Sequence, residues 1–159
     1  MTHISFLERL KQVEPILGDG AMGTLLHQHG VPINTCFDEL NLTHPEQVER
    51  IHRDYLEAGA ELIETNTFGA NRYKLAKHGL ADKVADINHA GVELAKKVIA
   101  VSGRDAYLAG SVGPLGVGLK PFGRVKPEEA RAAFAEQITS LAAAGVDLIL
   151  METFSDPVE

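Results

Sequence analysis

These 159 residues contain one cysteine, no tryptophan and no run of basic residues. A single thiol, Cys36, excludes a disulfide within the chain and fits a reducing, cytoplasmic setting. Positive charge is scarce: 15 Lys and Arg against 22 Asp and Glu leave a formal net charge of −7. No basic patch stands ready to neutralise phosphates, which argues against nucleic acid or an anionic membrane as partner. Apolar residues never run to the ~20 needed to cross a bilayer. The segment from Met1 to Leu10, interrupted by Glu8 and Arg9, lacks the apolar stretch of a signal peptide.

What is present suits one α/β domain with a real core: 45% of residues are hydrophobic and 23% charged. Short β-rich runs alternate with longer helical ones, the pattern of a parallel sheet built from βα units. Strands are expected at Pro15 to Gly18, Glu61 to Thr65, Tyr107 to Ser111 and Asp147 to Glu152. A helix is expected from Thr43, where Thr43 and Glu46 have capping-box spacing and Pro45 sits in the first turn. Its apolar positions Val48, Ile51, Tyr55 and Leu56 recur at helical spacing, and Gly59 closes it. Further helices are expected over Asn71 to His78, Lys83 to Ala100 and Pro127 to Ala144, the last with Glu128 and Glu129 at its positive end. Ser155-Asp156-Pro157 reads as the start of another.

An internal repeat supports this organisation. Ala58-Gly59-Ala60-Glu61-Leu62-Ile63, leading to Thr67-Phe68, aligns without gaps with Ala144-Gly145-Val146-Asp147-Leu148-Ile149, leading to Thr153-Phe154. Self-similarity at a two-unit spacing suits a TIM-type (βα)8 barrel, in which alternate strands share interior layers. A complete barrel takes about 250 residues. The chain therefore reads as the first four βα units of eight, a half-barrel cut after the fourth strand.

Several motifs carry polar groups to strand ends. Gly18-Asp19-Gly20-Ala21-Met22-Gly23 matches the dinucleotide fingerprint, but Asp19 would repel a pyrophosphate and no acidic strand end follows at the required distance. A barrel-top loop is the better reading, with Gly20 admitting a close backbone approach and Asp19 facing a small ligand. In Thr65-Asn66-Thr67 a hydroxyl at a strand end is placed to bond a carboxylate, or else caps a turn. Glu152 ends the apolar run Leu148-Ile149-Leu150-Met151 and needs a cationic partner, either a ligand ammonium or an interior Lys or Arg. The loop Gly113 to Gly118 lacks the Lys-Ser/Thr of a phosphate-binding loop and reads as a mobile lip at the barrel mouth. His27 and His29 diverge on a helix without further ligands and read as a solvated pair, and Cys36 has no base beside it. No Lys stands at an expected strand end, which argues against Schiff-base aldolase chemistry.

Four of these stretches, in this order, resemble the homocysteine S-methyltransferase family: Leu17 to Thr24, Glu64 to Asn71, Gly110 to Gly116, and Met151 to Phe154. The resemblance runs from about Pro15 to Asp156. It implies the N-terminal half of a homocysteine-binding (βα)8 barrel domain, with residues 1–159 falling in it. It also implies methyl transfer to a zinc-bound homocysteine thiolate to form methionine, with Asp19, Gly20, Thr65 and Glu152 holding the amino-acid end. In the family three cysteines bind that zinc from the second half of the barrel, and Cys36 matches none of them. Catalytic and metal residues are therefore expected beyond Glu159, with the opening covered by the rest of the barrel or a second chain. The absence of Trp and the glycine at Gly69 point away from a betaine cage. They favour methylcobalamin or methyltetrahydrofolate as donor. A non-catalytic half-barrel that binds a ligand or partner is the competing reading.

Overall fold

A computed structural model describes residues 4–159, so the first three residues of the N-terminal segment read above lie outside it. In chain order the elements are α1 (Phe6–Arg9), α2 (Met22–Gln28), α3 (Leu40–Thr43), α4 (Pro45–Ala58), β1 (Leu62–Glu64), α5 (Arg72–Ala76), α6 (Val84–Ser102), β2 (Tyr107–Val112), α7 (Pro127–Ala144) and β3 (Leu148–Met151). The three strands form one parallel sheet in the order β1-β2-β3. Ile63 pairs with Leu108, and Gly110 with Ile149. The sheet is closely packed in the middle of β2, where a Cβ on Gly110 would stand 3.1 Å from both Ile149 and Leu141 side-chain carbons and would need them to shift.

The repeat has a local physical cause. Gly59 and Gly145 end α4 and α7 in the left-handed conformation, at φ 103° and 87°, which a residue with a Cβ adopts at a cost. In each case the chain reverses there and enters a strand through Leu-Ile, burying Ile63 fully. The main core lies between the sheet and α6 and α7, where Val92, Ala95, Leu108, Val112, Leu115 and Leu141 pack together. A second cluster, Leu26, Leu40, Val48 and Ile51, fixes α2 and α3 against α4.

Three expectations change. The first strand is only a bridge from Gly18 to Leu62. Pro15 has no N–H to give a ladder, and the carbonyls of Glu14 and Pro15 accept from the Arg9 guanidinium instead (2.8 and 3.1 Å). The capping box at Thr43 does not form: Thr43 ends α3 and bonds back to the Glu39 carbonyl, while α4 starts at Pro45 after an uncapped His44. Residues 155–159 contain a turn and no helix. The other helices stand where the pattern put them, α5 capped by Asn71, whose side chain accepts from the Tyr73 and Lys74 amides (3.1 and 3.0 Å). The short α1, α2 and α3 are additions to the expected set.

β2 is buried along its whole length, whereas Leu148, Ile149 and Leu150 of β3 are half-buried and Met151 is exposed. Among the described residues no strand pairs with the outer edge of β3. Nor is any described helix long and apolar enough to cross a membrane.

Candidate functional site

The C-terminal ends of the three strands open into one cavity of about 730 Å³. Asp19, Gly20, Thr65 and Glu152 all line it, together with Glu64, Ser111, Phe68 and Lys74. This is the end of a parallel sheet at which α/β enzymes place ligands, because the loops there are free to carry polar groups.

Asp19 is held at the floor by its neighbours. Its amide donates to the Leu62 carbonyl (2.9 Å), and its Oδ2 accepts from the Glu64 amide (2.9 Å). Its Oδ1 is buried without a hydrogen-bond partner in the protein, an arrangement that costs free energy until a donor arrives. Burial, against the Glu64 amide and aided by the charge of Glu152, pushes the Asp19 pKa up to about 7.

Glu152 accepts from the Ser111 hydroxyl, and its amide donates to the Val112 carbonyl (3.1 Å). The neighbouring Thr153 has φ 59°, a strained conformation for a β-branched residue and one that clusters at functional sites. Glu64 reaches the same spot from β1. Burial, the hydrogen bond with the Glu152 carboxyl, that group's charge and Asp19 together raise its pKa to about 8. Two carboxyl groups in contact in a half-buried site disfavour ionisation of Glu64, and the third carboxyl beside them acts in the same direction.

The hydroxyl of Thr65 faces a different task from the one expected. Thr67 Oγ1 gives its hydrogen to the Ser111 carbonyl (2.8 Å), so the 2.6 Å contact between the two threonines uses the hydrogen of Thr65. Thr65 Oγ1 also accepts from the Ser111 amide (3.1 Å). Thr65 lines the cavity and ties β1 to β2, but no hydroxyl hydrogen remains to donate to a carboxylate. Asn66 and Thr67 are held from behind by Asn41, which donates to the Asn66 carbonyl (2.8 Å), and by Gln137, which donates to the Thr67 carbonyl (2.7 Å).

Both loop glycines are set by neighbours rather than by open space. A Cβ on Gly20 would stand 2.9 Å from the Tyr55 hydroxyl, and one on Gly69 would stand 2.6 Å from Asp38 Oδ2. Glu64, Ser111, Phe68, Asp38 and Lys74 are site residues that the sequence reading did not single out. Glu64 was findable by the criterion that found Glu152, a carboxylate in an apolar strand; Ser111 and Lys74 gave no such signal. Cys36 is buried and free, and burial pushes its thiol up to about 11. Among the described residues no three His, Cys, Asp or Glu side chains form a group able to hold a metal ion.

The fold is thus a parallel α/β sheet whose strand ends carry Asp19, Glu64 and Glu152 into one cavity. The chain belongs to the homocysteine S-methyltransferase family, whose model matches residues 16–159. It is 37% identical to the methionine synthase of Mycobacterium leprae over 94% of this chain and 13% of that protein. It is also 37% identical to the methionine synthase of Mycobacterium tuberculosis, over 89% of this chain and 12% of that one. The metallated form of the homocysteine methyltransferase MmuM from Escherichia coli superposes with a TM-score of 0.80 at 27% identity, over 95% of this chain and 58% of that one. The chain thus spans about an eighth of the length of the two methionine synthases.

Proposed function

We propose that this chain is the part of a homocysteine S-methyltransferase that grips the amino-acid end of homocysteine, within a (βα)8 barrel of which residues 1–159 form the N-terminal half. The observation that carries the reading is the convergence of Asp19, Glu64 and Glu152 from three separate segments on one cavity. An ammonium group offers several N–H donors and a positive charge. It meets the orphaned Asp19 Oδ1 and favours the ionised form of Glu64, whose proton it displaces.

The reaction is displacement at carbon: the sulfur forms an S–CH3 bond as the donor–CH3 bond breaks, its electron pair leaving with the donor, and the thiol proton is lost. A free thiol near pKa ~8.5 is mostly protonated at neutral pH, and zinc is the Lewis acid that the family uses to change this. The residues described here do not fit that ion, since Cys36 is one buried thiol without partner ligands. We therefore place zinc, and methylcobalamin or methyltetrahydrofolate as donor, with residues outside these 159, in a cytoplasmic enzyme. This chain's contribution is to fix the substrate's orientation, so that its sulfur projects out of the acidic end.

Calorimetry of homocysteine binding to the full-length protein tests the reading. Glu152→Gln should weaken binding about ten- to hundredfold, the loss of one charge-assisted hydrogen bond. An unchanged affinity, or a fall in thermal stability with affinity intact, would show that Glu152 serves the fold alone.

A further inference from the structure

The cavity has a second pole. Lys74 enters it from α5, with Lys77 and His78 beside it on the lining. Its ammonium lies over the Phe68 ring, 4.1 Å from the centroid, and its stem runs along the loop at Gly116, where a Cβ would meet Lys74 Cε and Cγ at 3.2 Å. The side chain is thereby held half-buried and extended rather than free to swing. Other lysines find anionic or carbonyl partners: Lys77 donates to Gly116 O, Lys83 pairs with Asp86, and Lys97 with Glu49. The Lys74 ammonium forms no ion pair or hydrogen bond among the described residues, its contact being the Phe68 ring. The acidic side chain it feels most, Asp38, commits its Oδ1 to the Gly69 amide (2.8 Å).

A cation held in a cavity by an aromatic face, with three N–H donors unused, is suited to an oxyanion. Thr65 has no hydrogen to give one, and the strand-end carboxylates repel it. Resting on the reading of the acidic end as an ammonium site, we infer that Lys74 is the anion subsite of this cavity, taking a carboxylate or phosphate. That oxyanion belongs either to the amino-acid substrate, whose own carboxylate would then lie between Lys74 and the acidic pole, or to an anionic methyl donor. The two poles together favour a ligand that carries both an ammonium and an oxyanion over one that carries an ammonium alone.

Lys74→Met keeps the stem on the Phe68 ring and removes the charge. Lys74→Arg restores it. Calorimetry on the full-length protein compares homocysteine, its decarboxylated analogue 3-aminopropanethiol, and 5-methyltetrahydrofolate. If the substrate supplies the oxyanion, Lys74→Met weakens homocysteine about ten- to hundredfold, leaves the analogue unchanged, and is rescued by Lys74→Arg. If the donor supplies it, the same loss falls on 5-methyltetrahydrofolate and homocysteine is unaffected. Equal affinities for all three ligands in Lys74→Met and parent overturn the subsite, whether or not the melting temperature moves. A parent protein that binds no homocysteine refutes the functional reading alone. The subsite then stands or falls on whether inorganic phosphate shields Lys74 from acetylation.

Discussion

The carboxyl groups of Glu64 and Asp19 illustrate how a site can hold charge in reserve. Both have pKa values raised above their ordinary 4.5 and 3.8, so the folded protein binds their protons more tightly than the unfolded chain does. The stability that follows is fully present below about pH 4. It is lost as pH rises through about 7 and 8, where the folded-state groups ionise against one another. Glu64→Gln removes the ionisable carboxyl of Glu64 while keeping its shape. The variant should match its parent in denaturant midpoint near pH 4 and exceed it at pH 8.5; a constant difference across that range would exclude Glu64 as the source. Ligand binding runs with the opposite sign. An ammonium prefers the ionised cluster, so homocysteine affinity should rise from pH 6 to 8 and binding should release protons, seen as buffer-dependent calorimetric enthalpy. Proton uptake on binding would contradict this.

At the scale of elements, the helix–glycine–strand unit is the best-determined piece of the molecule. Gly59 is a clean test, since a Cβ there meets nothing within 4 Å and only the backbone at φ 103° objects. Gly59→Ala should cost about 1–2 kcal/mol in chemical denaturation; a neutral result would mean that the α4–β1 turn is not held in the left-handed region. The same features made these elements legible: apolar spacing on α4, α6 and α7, terminal glycines, and Leu-Ile strand starts are all local signals. The first strand proved shorter than expected: Leu17 and Asp19 bond to β1, while the carbonyls of Glu14 and Pro15 accept from Arg9 instead of a neighbouring strand. The capping box at Thr43 failed because Thr43 is drawn into α3, while Glu46 stays in the first turn of α4. Of the site, Glu152 could be read from charge at the end of an apolar strand, and Asp19 from the glycine-rich loop that holds it. Lys74 and Ser111 could not, because a helix-borne lysine and a strand serine look ordinary until the fold points them into one cavity.

At the scale of the whole molecule, the sheet is asymmetric in what it covers. β2 is buried throughout, but the apolar residues of β3 are only half so, and its outer edge is unpaired among the described residues. An unpaired edge beside exposed apolar surface invites pairing with another chain, and a (βα)8 barrel removes the hazard by continuing the sheet until it closes. The 159 residues expressed alone should therefore self-associate, measured by light scattering after size-exclusion chromatography, while a polypeptide that continues the barrel should not. The chemistry should follow the same division. One buried cysteine does not make a zinc site of N and S ligands, so elemental analysis of the isolated chain should find no stoichiometric zinc, and methyl transfer to homocysteine should be absent. On the proposed function, substrate binding by this part and turnover by a longer polypeptide would then be separable properties, the grip on the amino acid and the activation of the sulfur being assigned to different stretches of chain. A monomeric 159-residue protein that carries one tight zinc and turns over would place the activation of sulfur among these residues after all, and the division drawn here would be wrong.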